Sequence, residues 1–199
     1  FSNAGQSCIS AKRFIVERSI ADRFAEAFVA GARKLVVGDP LQANTTIGSM
    51  ARGKLRDELH VQVRASVREG AQVLIGGQPV EGPGAYYEPT ILDHVTPGMT
   101  VAMEETFGPA AAILRVASAD EAIAVANDTP FGLGASLWSR DLDRARQLSR
   151  RIEAGAVFVN GLVASDPRLP FGGTKQSGYG RELGHLGLHE FMNIKTVWT

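Results

Sequence analysis

Covalent chemistry has one obvious candidate in this chain, its single cysteine, Cys8. A lone cysteine is by default a small buried hydrophobe. The residues ahead of it argue for more. Asn3, Gly5 and Gln6 lead into Cys8 through FSNAGQSC. A glycine-containing turn can leave a thiol accessible and present backbone N–H groups to an oxyanion formed beside it. Glu104 and Glu105 are adjacent acids, which alone read as a solvated acidic turn. His185 and His189 have the spacing of two zinc ligands on a helix face. Leu186, however, stands where the zinc-protease pattern needs glutamate, and no third ligand is in evidence, so no metal is expected. The dinucleotide fingerprint G-x-G-x-x-G starts at Gly178 and Gly180 but meets Leu183 at its third glycine. A P-loop also fails, because Tyr179 follows Gly178 in place of lysine.

The elements that must position these residues alternate. KRFIVE at 12–17 reads as a strand. Ser19 and Asp22 suggest a capping box for a helix whose apolar stripe is Ile20, Phe24, Phe28 and Leu35. After the VGDP turn at 37–40, Leu55, Leu59, Val63 and Val67 mark a second amphipathic helix, closed by Gly70. Strands follow at 72–76, 86–92 and 110–117. Ser118 and Glu121 form an S-x-x-E box before a helix to about Asn127. A strand at 134–138, a helix from Asp141 to Ile152 with Leu142, Ala145, Leu148 and Ile152 inward, and a strand at 156–160 complete the alternation. It predicts an α/β fold, a mainly parallel sheet with helices on both faces. Residues 161–180 lack periodicity, and a loop of that length is usually functional. A short helix near 181–191 and a terminal strand, NIKTVWT, end the chain.

Composition narrows the function classes. The 199 residues carry 21 basic and 21 acidic side chains, which gives no electrostatic footprint for nucleic acid or an anionic membrane. One cysteine allows no internal disulfide and fits a cytoplasmic protein. No apolar run approaches the roughly 20 residues of a membrane span, and the polar first dozen residues hold no secretory signal. Phe1 is not an initiator methionine, so the chain is expected to start inside a longer protein.

Three ordered segments carry a resemblance. FSNAGQSC resembles the active-site motif F-x-N-x-G-Q-x-C of the aldehyde dehydrogenase superfamily. MEETFGP at 103–109 resembles its E-E-x-F-G-P motif, and LPFGGTKQSGYGRE at 169–182 its P-F-G-G-x-K-x-S-G-x-G-R-E motif. The ending, through ASDPRLPFGG, GRELGHLGLHEF and NIKTVW, is similar to bacterial NAD-dependent succinate-semialdehyde dehydrogenases.

The resemblance implies that Cys8 attacks an aldehyde to give a thiohemiacetal, that hydride passes to NAD or NADP (NAD favoured), and that water hydrolyses the thioester. It implies the Cys8 N–H as an oxyanion donor, Glu105 on the nicotinamide ribose hydroxyls, Phe107 against the nicotinamide, and Phe171 in an aromatic wall around the aldehyde. Lys175, Arg181 and Glu182 are expected to be structural. Many succinate-semialdehyde enzymes carry arginine at the second position of the cysteine motif, where this chain has Ser2. Ser165 and Arg168 are the alternative partners for a distal carboxylate. Ser10 stands where some relatives have a second, redox-active cysteine. Residues 1–191 would be the catalytic domain and 192–199 a strand joining a homo-oligomer. The cofactor-binding half, with the general base and an oxyanion asparagine, would lie outside this sequence, leaving the chain inactive alone. Two other readings stay open: a cysteine acyltransferase or hydrolase, which needs a histidine partner, and a non-catalytic interaction module with Cys8 buried.

Overall fold

The computed structural model describes residues 1–199, and its contacts separate into two units, Phe1–Val125 and Ala126–Thr199. In the first, the apolar runs RFIVE and AAAILRV become β1 (Arg13–Glu17) and β4 (Ala110–Val116). They pair in parallel, Phe14 opposite Ile113. β3 (Thr90–Asp93) lies parallel on the other side of β4, and β2 (Gln72–Ile75) closes the edge antiparallel to β3, giving the order β1-β4-β3-β2. Of the stretch expected to be extended at 86–92, only its end joins this ladder. Tyr87 makes a separate bridge to Pro79.

Helices cover both faces, as the apolar runs require. Along β4, Ala110, Ala112 and Leu114 join a core with Leu59 and Val63 of α2 (Gly53–Arg68). Ile113 points the other way, into a second core with Val16, Ile91 and the alanines of α1 (Arg18–Ala32). Period-two alternation between two covered faces explains why β4 reads as an unbroken apolar run. The helix α2 follows the sequence reading closely: Leu59 and Val63 are buried, and Leu55 and Val67 pack beside them.

Two expectations for α1 are corrected. Its buried stripe is Ala21, Ala25 and Ala32, whereas Ile20 is 51% exposed and Leu35 lies beyond the helix. Small side chains let the helix approach the sheet, and Phe24 and Phe28 fill the flank against Phe14, with Phe14 and Phe28 ring centroids 4.7 Å apart. The Ser19–Asp22 box does not form. The helix already begins at Arg18 with no side-chain cap, and Asp22 instead reaches Arg115 of β4 at 2.6 Å. The second box forms with its return bond moved one residue back: Glu121 N–H donates to Ser118 Oγ at 3.2 Å, and the Glu121 carboxylate accepts from Ala117 N–H, not Ser118 N–H, at 2.6 Å, ahead of α4 (Ala119–Asn127).

In the second unit, β5 (Phe131–Gly132) pairs antiparallel with β8 (Thr174–Lys175), and β6 (Gly134–Leu137) pairs parallel with β7 (Ala156–Val159). Across the chain three of the five strand pairings are parallel. α5 (Leu142–Ser149) packs on β7 and starts at Asp141, whose carboxylate accepts from Arg144 N–H at 2.9 Å. It stops short of Ile152. Only Ala145 of the expected inward set is buried, and Leu142 is exposed. α6 (Gly184–His189) occupies the middle of its expected span. Residues 192–199 form no strand within this chain and are exposed throughout; the expected pairing of NIKTVWT is with another copy. A terminal strand needs a ladder partner, and these residues find none here. No helix is long and apolar enough to cross a membrane.

Candidate active site

The cysteine motif folds as a left-handed turn. Asn3, Ala4 and Gly5 all have positive φ, at 53°, 51° and 71°. For non-glycine residues this conformation is strained and persists only when the surroundings hold it. Here the motif residues do the holding. Gln6 N–H donates to Asn3 O at 3.0 Å, and Asn3 Nδ2 returns a bond to Gln6 O at 2.9 Å. Gln6 Oε1 accepts from Ala51 N–H at 2.9 Å, which pins the turn to the chain ahead of α2. Gly5 is required by contact as well as by φ: a Cβ there would lie 2.0 Å from Gly108 O. Cys8 follows this turn and is exposed. The interaction-module reading with a sealed, inert thiol is therefore not what the fold provides.

Gly108 belongs to the second motif, so the Gly5–Gly108 contact sets the cysteine turn directly against the segment of Glu105 and Phe107. That segment hangs from α3 (Thr100–Met103). Three residues on one face of α2 and its C-cap seat it. Glu69 accepts from Thr100 N–H at 2.9 Å and from Thr100 Oγ1 at 2.8 Å; Ser66 Oγ accepts from Val101 N–H at 2.9 Å. Gln62 Nε2 donates to the Glu104 carboxylate at 2.9 Å and to Glu105 O at 3.3 Å. Thr100 holds the Glu69 carboxyl below its usual range, backbone amide first and hydroxyl second. With Glu104 taken by Gln62, the Glu105 carboxylate is left uncommitted to any hydrogen bond. Thr106 is buried, and the flanking Glu105 and Phe107 face outward, Phe107 at 38% exposure. An accessible carboxylate two residues from an accessible ring fits a ligand that offers a diol and a flat aromatic. Gly108 N–H donates to Thr106 O and Ala110 N–H to Gly108 O, completing the expected return to β4.

Sequence reasoning missed Gln62, Ser66 and Glu69. Their spacing is a polar stripe at helical period, a signal that looks like an ordinary solvent face until α3 is placed on it. It also missed Lys12, whose Nζ donates to Gly5 O and to Gly108 O, the latter at 3.1 Å.

The remaining candidates lie in the second unit. Ser165 and Arg168 are exposed in the aperiodic loop. Arg168 is not free: its Nε and Nη2 meet the Asp166 carboxylate at 2.9 and 2.6 Å. This pair raises the guanidinium and lowers the carboxyl from their ordinary ranges. Phe171 is half-buried and exchanges two backbone hydrogen bonds of 2.7 Å with Glu182. Arg181 Nη1 donates to Gly173 O at 2.8 Å, and Lys175 pairs with Glu153 at 2.8 Å, both structural roles. The histidines give the hydrolase reading little support. His60 Nδ1 is bonded to Tyr87 Oη at 3.1 Å, and His185 and His189 pack ring edge to face on α6.

Known proteins resemble this chain in sequence and fold. Residues 1–197 match the aldehyde dehydrogenase family. A succinate semialdehyde dehydrogenase [NAD(P)+] of Escherichia coli is 52% identical over 198 residues, 100% of this chain and 43% of that protein. A succinate-semialdehyde dehydrogenase [NADP(+)] of Mycobacterium ulcerans is 50% identical over 98% of the chain and 43% of its own length. The chain thus spans under half the length of these relatives. The crystal structure of an NAD-dependent aldehyde dehydrogenase from Sinorhizobium meliloti superposes with a TM-score of 0.93 at 44% identity, over 96% of this chain and 38% of that one. With the fold, the three motifs and these relatives in agreement, the chain belongs to the aldehyde dehydrogenase family.

Proposed function

We propose that this chain is the cysteine-bearing catalytic portion of an NAD(P)-dependent aldehyde dehydrogenase, and that its substrate is succinate semialdehyde. The observation that carries the reading is the exposed Cys8 on a strained turn packed against the Glu105–Phe107 segment. In this reading the Cys8 thiolate adds to the aldehyde carbon, and the Cys8 N–H donates to the oxyanion of the thiohemiacetal. Oxidation gives a thioester, which water cleaves to the acid. Glu105 would hold the ribose hydroxyls of NAD or NADP, and Phe107 would orient its nicotinamide. The dinucleotide, when bound, supplies the hydride acceptor. NAD is the favoured form, and the chemistry calls for no metal. The substrate assignment leans on the relatives at about half identity, which are named for succinate semialdehyde. The activity also needs a cofactor-binding half, so residues 1–199 alone should show little or no turnover.

A graft tests this directly. The chain replaces the matching 198 residues of the Escherichia coli relative, and NAD(P)+ reduction is followed with succinate semialdehyde. The graft should turn over, Cys8→Ser should abolish activity, and Glu105→Gln should raise KM for the dinucleotide. Turnover that survives Cys8→Ser would overturn the reading.

A further inference from the structure

Lys12 stands where the two motif segments meet. Its main chain is fixed, since Lys12 O accepts from Ala112 N–H at 2.8 Å and so extends the β1–β4 ladder by one residue. Its side chain leaves that fixed point and places Nζ on two carbonyl oxygens, Gly5 O from the cysteine turn and Gly108 O from the Glu105 turn. The same two residues are in backbone contact. Two carbonyl oxygens cannot bond to one another, and here a single shared donor joins them. Gly108 O also takes the Ala110 N–H, but Gly5 O, at the end of a left-handed turn, has no ladder partner.

Resting on the reading of Cys8 and Glu105 given above, we propose that Lys12 is a positioning residue: its ammonium ties the Cys8 turn to the Glu105–Phe107 turn and sets their spacing. Lysines mostly keep their charged end in water; this one is half-buried with two of its three donors on main-chain oxygens. Burial lowers its pKa to about 8, and the Glu105 carboxylate pulls in the opposite direction. The charged side chain facing it is Glu105 from the second turn. The tie is thus strongest when the amine is protonated and weakens as pH rises through that value.

Amide hydrogen exchange on the 199-residue chain tests the tie. Gln6 and Ser10 report the cysteine turn, Gly108 and Ala110 the second turn, and Phe14–Val16 with Ile113–Leu114 the ladder. In the wild type, protection at both turns should fall together as pH passes about 8, after correction for intrinsic base catalysis. Lys12→Met should speed exchange at both turns by about tenfold at pH 7, leave the ladder unchanged and show no step near pH 8. Lys12→Arg, which keeps its charge, should hold both turns at pH 9. The proposal is overturned if Lys12→Met matches the wild type, if only one turn loosens, if the ladder loosens equally, or if Lys12→Arg follows the wild-type pH course. None of these readouts involves turnover, so they are independent of the Cys8→Ser result.

Discussion

Arg168 lies fork to fork with Asp166, two residues before it, with Nε–Oδ1 at 2.9 Å and Nη2–Oδ2 at 2.6 Å. The pair is open to solvent on the arginine side, where the side chain is 85% exposed. An exposed ion pair of this kind adds little stability. It does keep a planar cation in a fixed orientation while three of its five N–H donors stay available. If that cation receives the distal carboxylate of succinate semialdehyde, Arg168→Ala in the graft should raise KM for this substrate by roughly tenfold, as for a lost charge-assisted hydrogen bond. KM for an uncharged aldehyde of similar length should change little. Asp166→Asn should loosen the guanidinium and give a smaller rise. Equal effects on both aldehydes would remove Arg168 from the substrate site.

Glycine substitutions separate the contact at the cysteine turn from mere chain flexibility. Gly5→Ala places a Cβ 2.0 Å from Gly108 O at φ +71°, so neither the backbone nor the neighbour can accept it. Thermal unfolding should show a loss of at least about 2 kcal/mol. Gly108→Ala meets Leu59 Cδ2 at 2.5 Å and Met50 Cε at 2.9 Å, both ends of flexible side chains, and should cost less. Gly31, on α1 with nothing within 4 Å of its virtual Cβ, is the opposite case. Gly31→Ala should stabilise by about 0.5 kcal/mol. A Gly5→Ala protein as stable as the wild type would mean the two motif segments do not touch.

The fold and the site were not equally legible in the sequence. Strands β1, β4 and β7 and helix α2 were found within a residue or two, because covered strands and amphipathic helices carry their burial in their period. The face of α1 was misread because Ala21, Ala25 and Ala32 look neutral beside Ile20 and the phenylalanines. How close a helix comes to a sheet is set by the smallest side chains, and only packing reveals it. Cys8, Glu105 and Phe107 are candidates by motif order alone, and the Gly5–Gly108 contact shows only that their segments meet. Lys12 and Gln62 were not legible, since a lysine at a strand start and a glutamine on a polar helix face look like surface residues. Their partners are 96 and 43 residues away.

Asp93 of β3 and Arg115 of β4 form an ionic link between neighbouring strands of the first unit. Asp93 is almost fully buried, with a 3% exposed side chain, and Arg115 grips both its oxygens at 3.0 and 2.6 Å. Burial pushes the Asp93 carboxyl up, but the Arg115 fork and the His94 N–H outweigh it and hold the group below its usual range. The folded state therefore gives up this proton more readily than the unfolded chain. The stabilisation is complete above the unfolded value of about 3.9 and is lost as pH falls through the folded one. Asp93→Asn should cost about 1–2 kcal/mol at pH 7, because Arg115 loses its buried partner and keeps only the exposed Asp22. Urea unfolding should show the gap between variant and wild type narrowing below about pH 4. A gap that stays constant down to pH 2 would assign the loss to packing.

The C-terminal segment poses the question of association. Phe191, Ile194, Val197 and Trp198 are 94%, 87%, 75% and 94% exposed, and residues 192–199 have no ladder partner in this chain. Apolar side chains on unpaired backbone are a template for strand addition, and a monomer rarely leaves such a surface uncovered. The second unit adds to the demand, because Ala145 is its one buried apolar side chain while Trp138 and Leu162 also face solvent. If this segment joins the sheet of another copy, the chain should self-associate as its concentration rises. Ile194→Lys with Trp198→Lys should shift sedimentation toward the monomer, since charges along an edge strand oppose pairing. Hydrogen exchange in the wild type should show protection of 193–197 growing with concentration. Identical sedimentation of both proteins across a hundredfold concentration range would show that the segment does not mediate association.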